Sequence, residues 1–422
     1  MTVTNRGNAA GPARGDDLAE DAALEAAMPK GPLDPTLPAG AYLDPNWHAR
    51  EMEACFRRGW VLACREEELA TPGQFVRTTI DGDDLLIVRG ADDQVRAFHN
   101  VCRHRGSRLI IDEPSRTDAP ACAPLAPAEH GASGKTKSVF RCPYHSWTYE
   151  LDGSLRTAPF LQELPGFEKS DLGLYTAATA TWGGFVFVKL DTESAAAPGG
   201  SLMEALGPIS ERVVRYPLSD LRIAHRTVYD VAANWKVILE NYNECYHCGP
   251  VHPELCRVVP AFREAGGAGL DWEAGIPHRE GAWTYTMSGT SERDRFAGLN
   301  EEELVRHKGE VLYPNMMLSL SADHAAVFAL VPLAPDRTKI IFDLLLDPKE
   351  LDRPGHGPED ALEFWDVVNR QDWRICEAVQ QGMSSSVFKA GYYAPMEDYS
   401  LDMRRYIRET VGEPPMRGPA QR

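Results

Sequence analysis

The sequence has no apolar run of the ~18 residues that a membrane-spanning helix needs, so no helical span is expected. Cations are scarce relative to acids: 44 Lys and Arg face 62 Asp and Glu, for a formal charge of −18. A field of that sign repels nucleic acid and anionic membranes, and neither is expected as a partner. The opening segment carries Arg6, Arg14, Asp16, Asp17, Glu20 and Asp21 with no apolar stretch, so it does not read as a secretory leader. The expected location is cytoplasmic. Nine cysteines there are expected as reduced thiols or metal ligands, not as a disulfide framework. No internal repeat is visible. What the chain does have is length, 422 residues of which 43% are hydrophobic, enough for two domains with buried cores.

Residues 1–38 are rich in Ala, Gly and Pro and read as a disordered lead-in. A helix is expected from Asn46 to Trp60. Phe75–Ile80 and Leu85–Val88 flank Asp81-Gly82-Asp83-Asp84 in a hairpin pattern. Short strands are expected at Val95–Val101, Ser138–Arg141, Trp147–Leu151 and Gly184–Leu190, so residues 39–193 read as a small all-β domain. Within it, residues 112–137 read as an inserted loop. Ser194–Gly200 reads as a linker. Residues 201–422 mix types. A strand is expected at Ile223–Val231, a helix from Asn234 to Cys248 ended by Gly249-Pro250, and an antiparallel meander over Met316–Leu320, Ala325–Val331 and Lys339–Leu346. A long helix follows from Glu359 to Gln381. Strands followed by a long helix fit an α+β domain.

Two constellations carry chemistry. Cys102-Arg103-His104 and Cys142-Pro143-Tyr144-His145 place one thiolate and one imidazole on each of two loops. A structural zinc site groups like ligands, with C-x2–4-C and H-x3–5-H spacing. The mixed pairing suits a 2Fe–2S cluster in which Cys102 and Cys142 hold one iron and His104 and His145 hold the other. Cys122 and His130 are spare ligand types in the inserted loop and are read as surface residues.

The second constellation is Glu244-x2-His247-x4-His252. Two histidines need a carboxylate to complete a facial triad for ferrous iron with open positions for O2. On the long helix, Phe364, Val368, Ile375 and Val379 form an apolar stripe with Asp372 beside it. A carboxylate there is costly unless paired or metal-bound, so Asp372 is the expected third ligand. The alternative for Asp372 is a buried ion pair or a helix-end residue. A helical-bundle di-iron site would need a second Glu-x-x-His, which is lacking. Cys245, Cys248 and Cys256 are read as packing residues.

Cys102-Arg103-His104-Arg105-Gly106 and Cys142-Pro143-Tyr144-His145-Ser146-Trp147, with Asn234–His252 and Gln371-Asp372, resemble the Rieske non-haem iron oxygenases over most of the chain. The separation of His104 from Cys142 is longer than that family usually has. The resemblance implies an N-terminal Rieske domain and a helix-grip (START-like) catalytic domain with an antiparallel sheet and long C-terminal helix. It also implies a separate flavin and iron–sulfur reductase delivering electrons from NADH or NADPH, and a homotrimer. In such a trimer Glu244 would bridge His247 to His145 of the next subunit. Glu244, where many relatives have Asp, and the run Glu240-Asn241-Tyr242-x-Glu244-x-Tyr246-His247-Cys248 resemble the glycine betaine, stachydrine and carnitine oxygenase subgroup. This implies a monooxygenase that N-demethylates a quaternary ammonium substrate held by aromatic faces. Trp272, Trp283, Tyr285, Phe328, Tyr392 and Tyr393 are candidates for those faces. The alternatives are hydroxylation or O-demethylation of an aromatic or pathway intermediate, and a Rieske electron-transfer protein without oxygenase activity.

Overall fold

The computed structural model describes residues 33–111, 132–161, 163–196 and 200–415. The first domain is built on strands β1 (Val61–Arg65), β2 (Gln74–Ile80), β3 (Asp83–Arg89), β4 (Val95–His99), β5 (Ala132–Lys135), β9 (Thr176–Trp182) and β10 (Phe185–Lys189). They form one antiparallel sheet in the order β1-β10-β9-β4-β3-β2-β5. A second small sheet, β6 (Val139–Arg141), β7 (Thr148–Glu150) and β8 (Leu155–Thr157), carries the second Cys/His loop. Strand periodicity explains why β3 reads as unbroken apolar sequence. Leu85 and Ile87 point into the core shared with the second domain, while Leu86 and Val88 point into the core beneath the Cys/His loops.

The second domain is a six-stranded antiparallel sheet in the order β11-β16-β15-β14-β13-β12. Its strands are β11 (Arg222–Val231), β12 (Ile276–Pro277), β13 (Arg306–Leu312), β14 (Met316–Leu320), β15 (His324–Ala334) and β16 (Arg337–Leu346). Alternation again sorts the faces. Ala326, Phe328 and Leu330 of β15 meet the long helix Glu359–Met383 through Phe364 and Trp365, whereas Ala325, Val327 and Ala329 fill the opposite core. This is the expected α+β arrangement of an all-β domain followed by a helix gripped by an antiparallel sheet. The two domains are stitched by Asn315, which accepts from Leu62 N at 2.8 Å and donates to Leu62 O at 3.1 Å.

Four local expectations are corrected. The lead-in ends before residue 38: Asp34–Pro35 pairs with Tyr392–Tyr393, and Leu37 is fully buried, an apolar anchor in a polar segment. The inserted loop ends before residue 137, because Ala132–Lys135 forms β5 and pairs with β2; residues 112–131, including Cys122 and His130, lie outside the described residues. The helix Thr192–Ala196 runs into the expected linker, so its first residues, 194–196, are helical. The helix expected to reach Cys248 stops at Tyr242. The chain turns through residues 243–247, then forms Cys248–Val251, whose first turn accommodates Pro250 because no N–H is needed there.

Candidate active site

The two Cys/His loops fold as matched turns. Gly106 N donates to Cys102 O and Cys102 N to Ser107 O; Ser146 N donates to Cys142 O and Cys142 N to Trp147 O. Gly106 and Ser146 occupy equivalent left-handed positions, with φ of 73° and 62°. Cys102 and Cys142 are buried, while His104 and His145 are exposed with ring centroids 4.7 Å apart. Trp147 stacks on His104 at 4.9 Å. Arg103 N donates to the Tyr149 hydroxyl, which is left free to donate to Cys102 Sγ at 3.2 Å, a donor suited to a sulfur carrying negative charge.

Among the described residues, one group brings three ligand atoms within 4.8 Å of one another: His247, His252 and Asp372. The Cys/His quartet, with one thiolate and one imidazole on each loop, fits two irons better than one zinc. Helix Trp235–Tyr242 leads into the triad. It is capped by buried Asn234, whose side chain accepts from Lys236 N at 3.0 Å and donates to Tyr42 O and Pro335 O; such a cap contributes about 1 kcal/mol. In the turn that follows, the Glu244 carboxylate accepts from Tyr246 N, from His247 N, and from His247 Nδ1 at 2.5 Å. Glu244 therefore shapes the turn as well as orienting His247, where a helix running on to Cys248 was expected. His252 Nε2 lies 2.8 Å and His247 Nε2 3.3 Å from Asp372 Oδ1. Gln371 accepts from His252 Nδ1 at 2.8 Å and donates to Glu254 at 2.9 Å. Both imidazoles thus keep Nδ1 engaged and turn Nε2 toward Asp372, the tautomer a metal requires.

The electrostatics of the triad call for a cation. Burial opposes a proton on His247, but Asp372 and Glu244 outweigh it and push the imidazole up to about 10. Burial would raise Asp372, yet His247 and His252 hold it below the usual carboxylate range. A divalent ion would satisfy the same field, so the donor set fits ferrous iron.

The triad opens on a cavity of about 340 Å³, large enough for a small organic molecule. Of the aromatic candidates, Trp272, Tyr285 and Phe328 line it. Trp283 instead stacks beneath Arg295, and Tyr393 donates to Glu240. Tyr242, Tyr313, Phe364, Trp365 and Trp373 also line the cavity and were not among the candidates. Phe364 is on the apolar stripe of the long helix, a signal that could have pointed to it. Trp365 is steered by a buried chain: its Nε1 donates to His324 Nε2 at 3.0 Å, and His324 Nδ1 donates to Asp323 at 2.8 Å. Cys245 and Cys248 form a disulfide within the turn, contrary to the expectation of free packing thiols. Their Cα atoms are 4.9 Å apart because the turn brings them together. Cys256 remains a free, buried thiol.

Comparison with known proteins decides the family. Residues 59–168 match the Rieske [2Fe-2S] domain, and residues 218–413 match the catalytic domain of the ring-hydroxylating alpha subunit. The chain belongs to the Rieske non-haem iron oxygenases. The match of the catalytic domain sets aside an electron carrier without oxygenase activity. This oxygenase is 29% identical over 399 residues to the glycine betaine monooxygenase oxygenase subunit of Chromohalobacter salexigens, covering 87% of this chain and 84% of that one. It is 29% identical over 360 residues to the carnitine monooxygenase oxygenase subunit of Escherichia coli K12, covering 84% and 86%. The crystal structure of the quaternary ammonium Rieske monooxygenase CntA with L-carnitine superposes with a TM-score of 0.68 at 25% identity, covering 90% and 96%. Naphthalene 1,2-dioxygenase from Rhodococcus shares the fold, with a TM-score of 0.67 at 20% identity over 89% and 94% of the two chains. Among the described residues no helix is long and apolar enough to cross a membrane.

Proposed function

We propose that this oxygenase N-demethylates a quaternary ammonium substrate. The observation that carries the reading is the aromatic wall of the cavity beside His247, His252 and Asp372, which is lined by Tyr242, Tyr285, Phe328, Trp365 and Trp373. A quaternary ammonium donates no hydrogen bond, so ring faces are its natural partners, at about 0.5–2 kcal/mol per contact. The names of the relatives point the same way. Cys102, His104, Cys142 and His145 would hold the 2Fe–2S cluster, and His247, His252 and Asp372 the mononuclear iron. When bound, these groups supply one-electron transfer and O2 activation.

The reaction balances as follows. One oxygen atom enters an N-methyl C–H bond and the other leaves as water, consuming two electrons and two protons. The N-hydroxymethyl product then breaks its C–N bond, giving formaldehyde, the tertiary amine and a proton. The chain's own residues position this chemistry. The Trp365–His324–Asp323 chain fixes one ring face, and Gln371 and Glu244 fix the two imidazoles. A separate flavin and iron–sulfur reductase would supply the electrons from NADH or NADPH. The assembly would be a homotrimer in which exposed His145 reaches Glu244 of the partner subunit, since a carboxylate can accept from two imidazoles at once. The two domains would span 39–193 and 201–422, with residues 34–37 joining the fold ahead of the first.

The test is oxygen uptake and formaldehyde release with purified oxygenase and a surrogate reductase, over a panel of trimethylammonium compounds and methoxylated aromatics. Formaldehyde stoichiometric with O2 from trimethylammonium compounds alone is the expected result. Turnover confined to aromatic substrates would favour ring hydroxylation or O-demethylation instead.

A further inference from the structure

A betaine or carnitine carries a carboxylate at its far end, and that carboxylate needs a cation. Among the described residues lining the cavity, Arg212 is the sole Lys or Arg. It is already committed. Its Nε donates to Glu310 Oε1 at 2.7 Å and its Nη2 donates to Glu310 Oε2, a bidentate pair. The remaining nitrogen, Nη1, lies 3.9 Å from Glu273. Glu310 is only 7% exposed, whereas the Arg212 side chain is 25% exposed, so Arg212 cannot leave without stranding a buried carboxylate. Beyond the metal-site acids Glu244 and Asp372, the lining sets three carboxylates, Glu273, Glu310 and Asp402, against this one arginine. Only Asp402 has a basic partner outside the lining, Arg405 at 2.8 Å. His307 adds no charge, because burial keeps its imidazole neutral.

Building on the quaternary ammonium reading above, we infer that the substrate is a net cation: a trimethylammonium joined to a neutral alcohol, amide or ester, and not a zwitterionic betaine. The lining repels a carboxylate and offers it no free cation, whereas a neutral group meets no penalty. Discrimination thus arises from an unfavourable contact with the wrong ligand as well as from aromatic contacts with the right one.

The test uses two isosteric probes, glycine betaine and its amide, with choline as a third. Affinity for the iron-loaded oxygenase is measured by calorimetry, and kcat/KM by formaldehyde release. The amide and choline are expected to exceed glycine betaine by about tenfold or more in both readouts. Glu310→Gln releases Arg212 and should shift the ratio toward glycine betaine by about tenfold. Arg212→Gln, a second variant that does not depend on the first folding, should keep or widen the preference for the amide. Glycine betaine preferred by the wild type, or betaine turnover that depends on Arg212 while Glu310 is intact, overturns the inference and leaves N-demethylation standing. No binding or turnover of any trimethylammonium probe overturns both.

Discussion

Glu244→Gln separates a shaping role from a purely electronic one. The carboxylate receives three donors: Tyr246 N and His247 N on one oxygen, and His247 Nδ1 on the other at 2.5 Å. An amide has one acceptor oxygen and an NH2 that donates. If its oxygen faces the backbone, NH2 confronts His247 Nδ1, and the ring must carry its proton on Nε2, the atom 3.3 Å from Asp372. If its oxygen faces Nδ1, two backbone donors confront NH2. A buried donor left unmatched costs about 1–3 kcal/mol. The variant should therefore bind the mononuclear iron about 10–100-fold more weakly while keeping the Rieske spectrum. Iron titration of the metal-depleted protein measures this, with turnover at saturating iron as the second readout. Glu244→Asp keeps both acceptors but is one methylene shorter, so it should recover more iron affinity than Gln does. Turnover that stays low at saturating iron supports the inter-subunit bridge. Wild-type iron affinity together with a wild-type rate in Glu244→Gln would refute the reasoning.

His104→Ala or Cys142→Ala should abolish the Rieske visible and EPR signature, whereas Asp372→Asn should leave it intact, lose the mononuclear iron and abolish turnover; iron analysis with EPR distinguishes the two. Gln371→Leu removes the acceptor of His252 Nδ1. Iron affinity at the triad should fall about 10–100-fold without change in the cluster spectrum, and unchanged affinity would show that His252 needs no tautomer control. Glu240 is half-buried with its carboxylate held between the Tyr42 and Tyr393 hydroxyls, and desolvation pushes it up to about 7 from an ordinary value of 4.5. A carboxyl raised on folding favours its protonated form, so folded stability falls as pH rises from the unfolded value toward 7 and stays lower above it. Glu240→Gln lacks this loss, so its urea stability relative to wild type should improve by up to roughly 3 kcal/mol between pH 4.5 and 8. A pH-independent difference would count against an ionisable Glu240.

The parts of this molecule that the sequence made legible are those in which the chemistry is local. The mixed Cys/His pairs point to the proposed cluster loops because each loop carries its own pair of ligand types. His247 and His252 are close in sequence, and Asp372 is recognisable because a carboxylate beside an apolar helical stripe needs a partner. The turn at 243–247 reads as helix in the sequence because its decisive contact is Glu244 accepting backbone N–H groups, which mimics helical i, i+3 spacing. The Cys245–Cys248 bond is hidden for the same reason, since the pairing depends on that turn. The cavity wall was less legible still. Trp365 and Tyr285 meet through contacts between distant elements, with ring centroids 5.5 Å apart, and Arg212 and Glu310 are separated by 98 residues. β5 was hidden by its Gly- and Ser-containing sequence, which has no strand propensity and holds its place by pairing with β2.

In the proposed assembly a Rieske cluster drives oxidation of an N-methyl group at the iron triad of a neighbouring subunit. Single turnover tests it most directly: the oxygenase is reduced chemically, the reductant removed, and O2 added with a trimethylammonium substrate, while cluster oxidation and formaldehyde are followed together. The account predicts cluster oxidation matched by formaldehyde in the wild type, and no formaldehyde in Asp372→Asn. Cluster oxidation without formaldehyde from any trimethylammonium compound would contradict it.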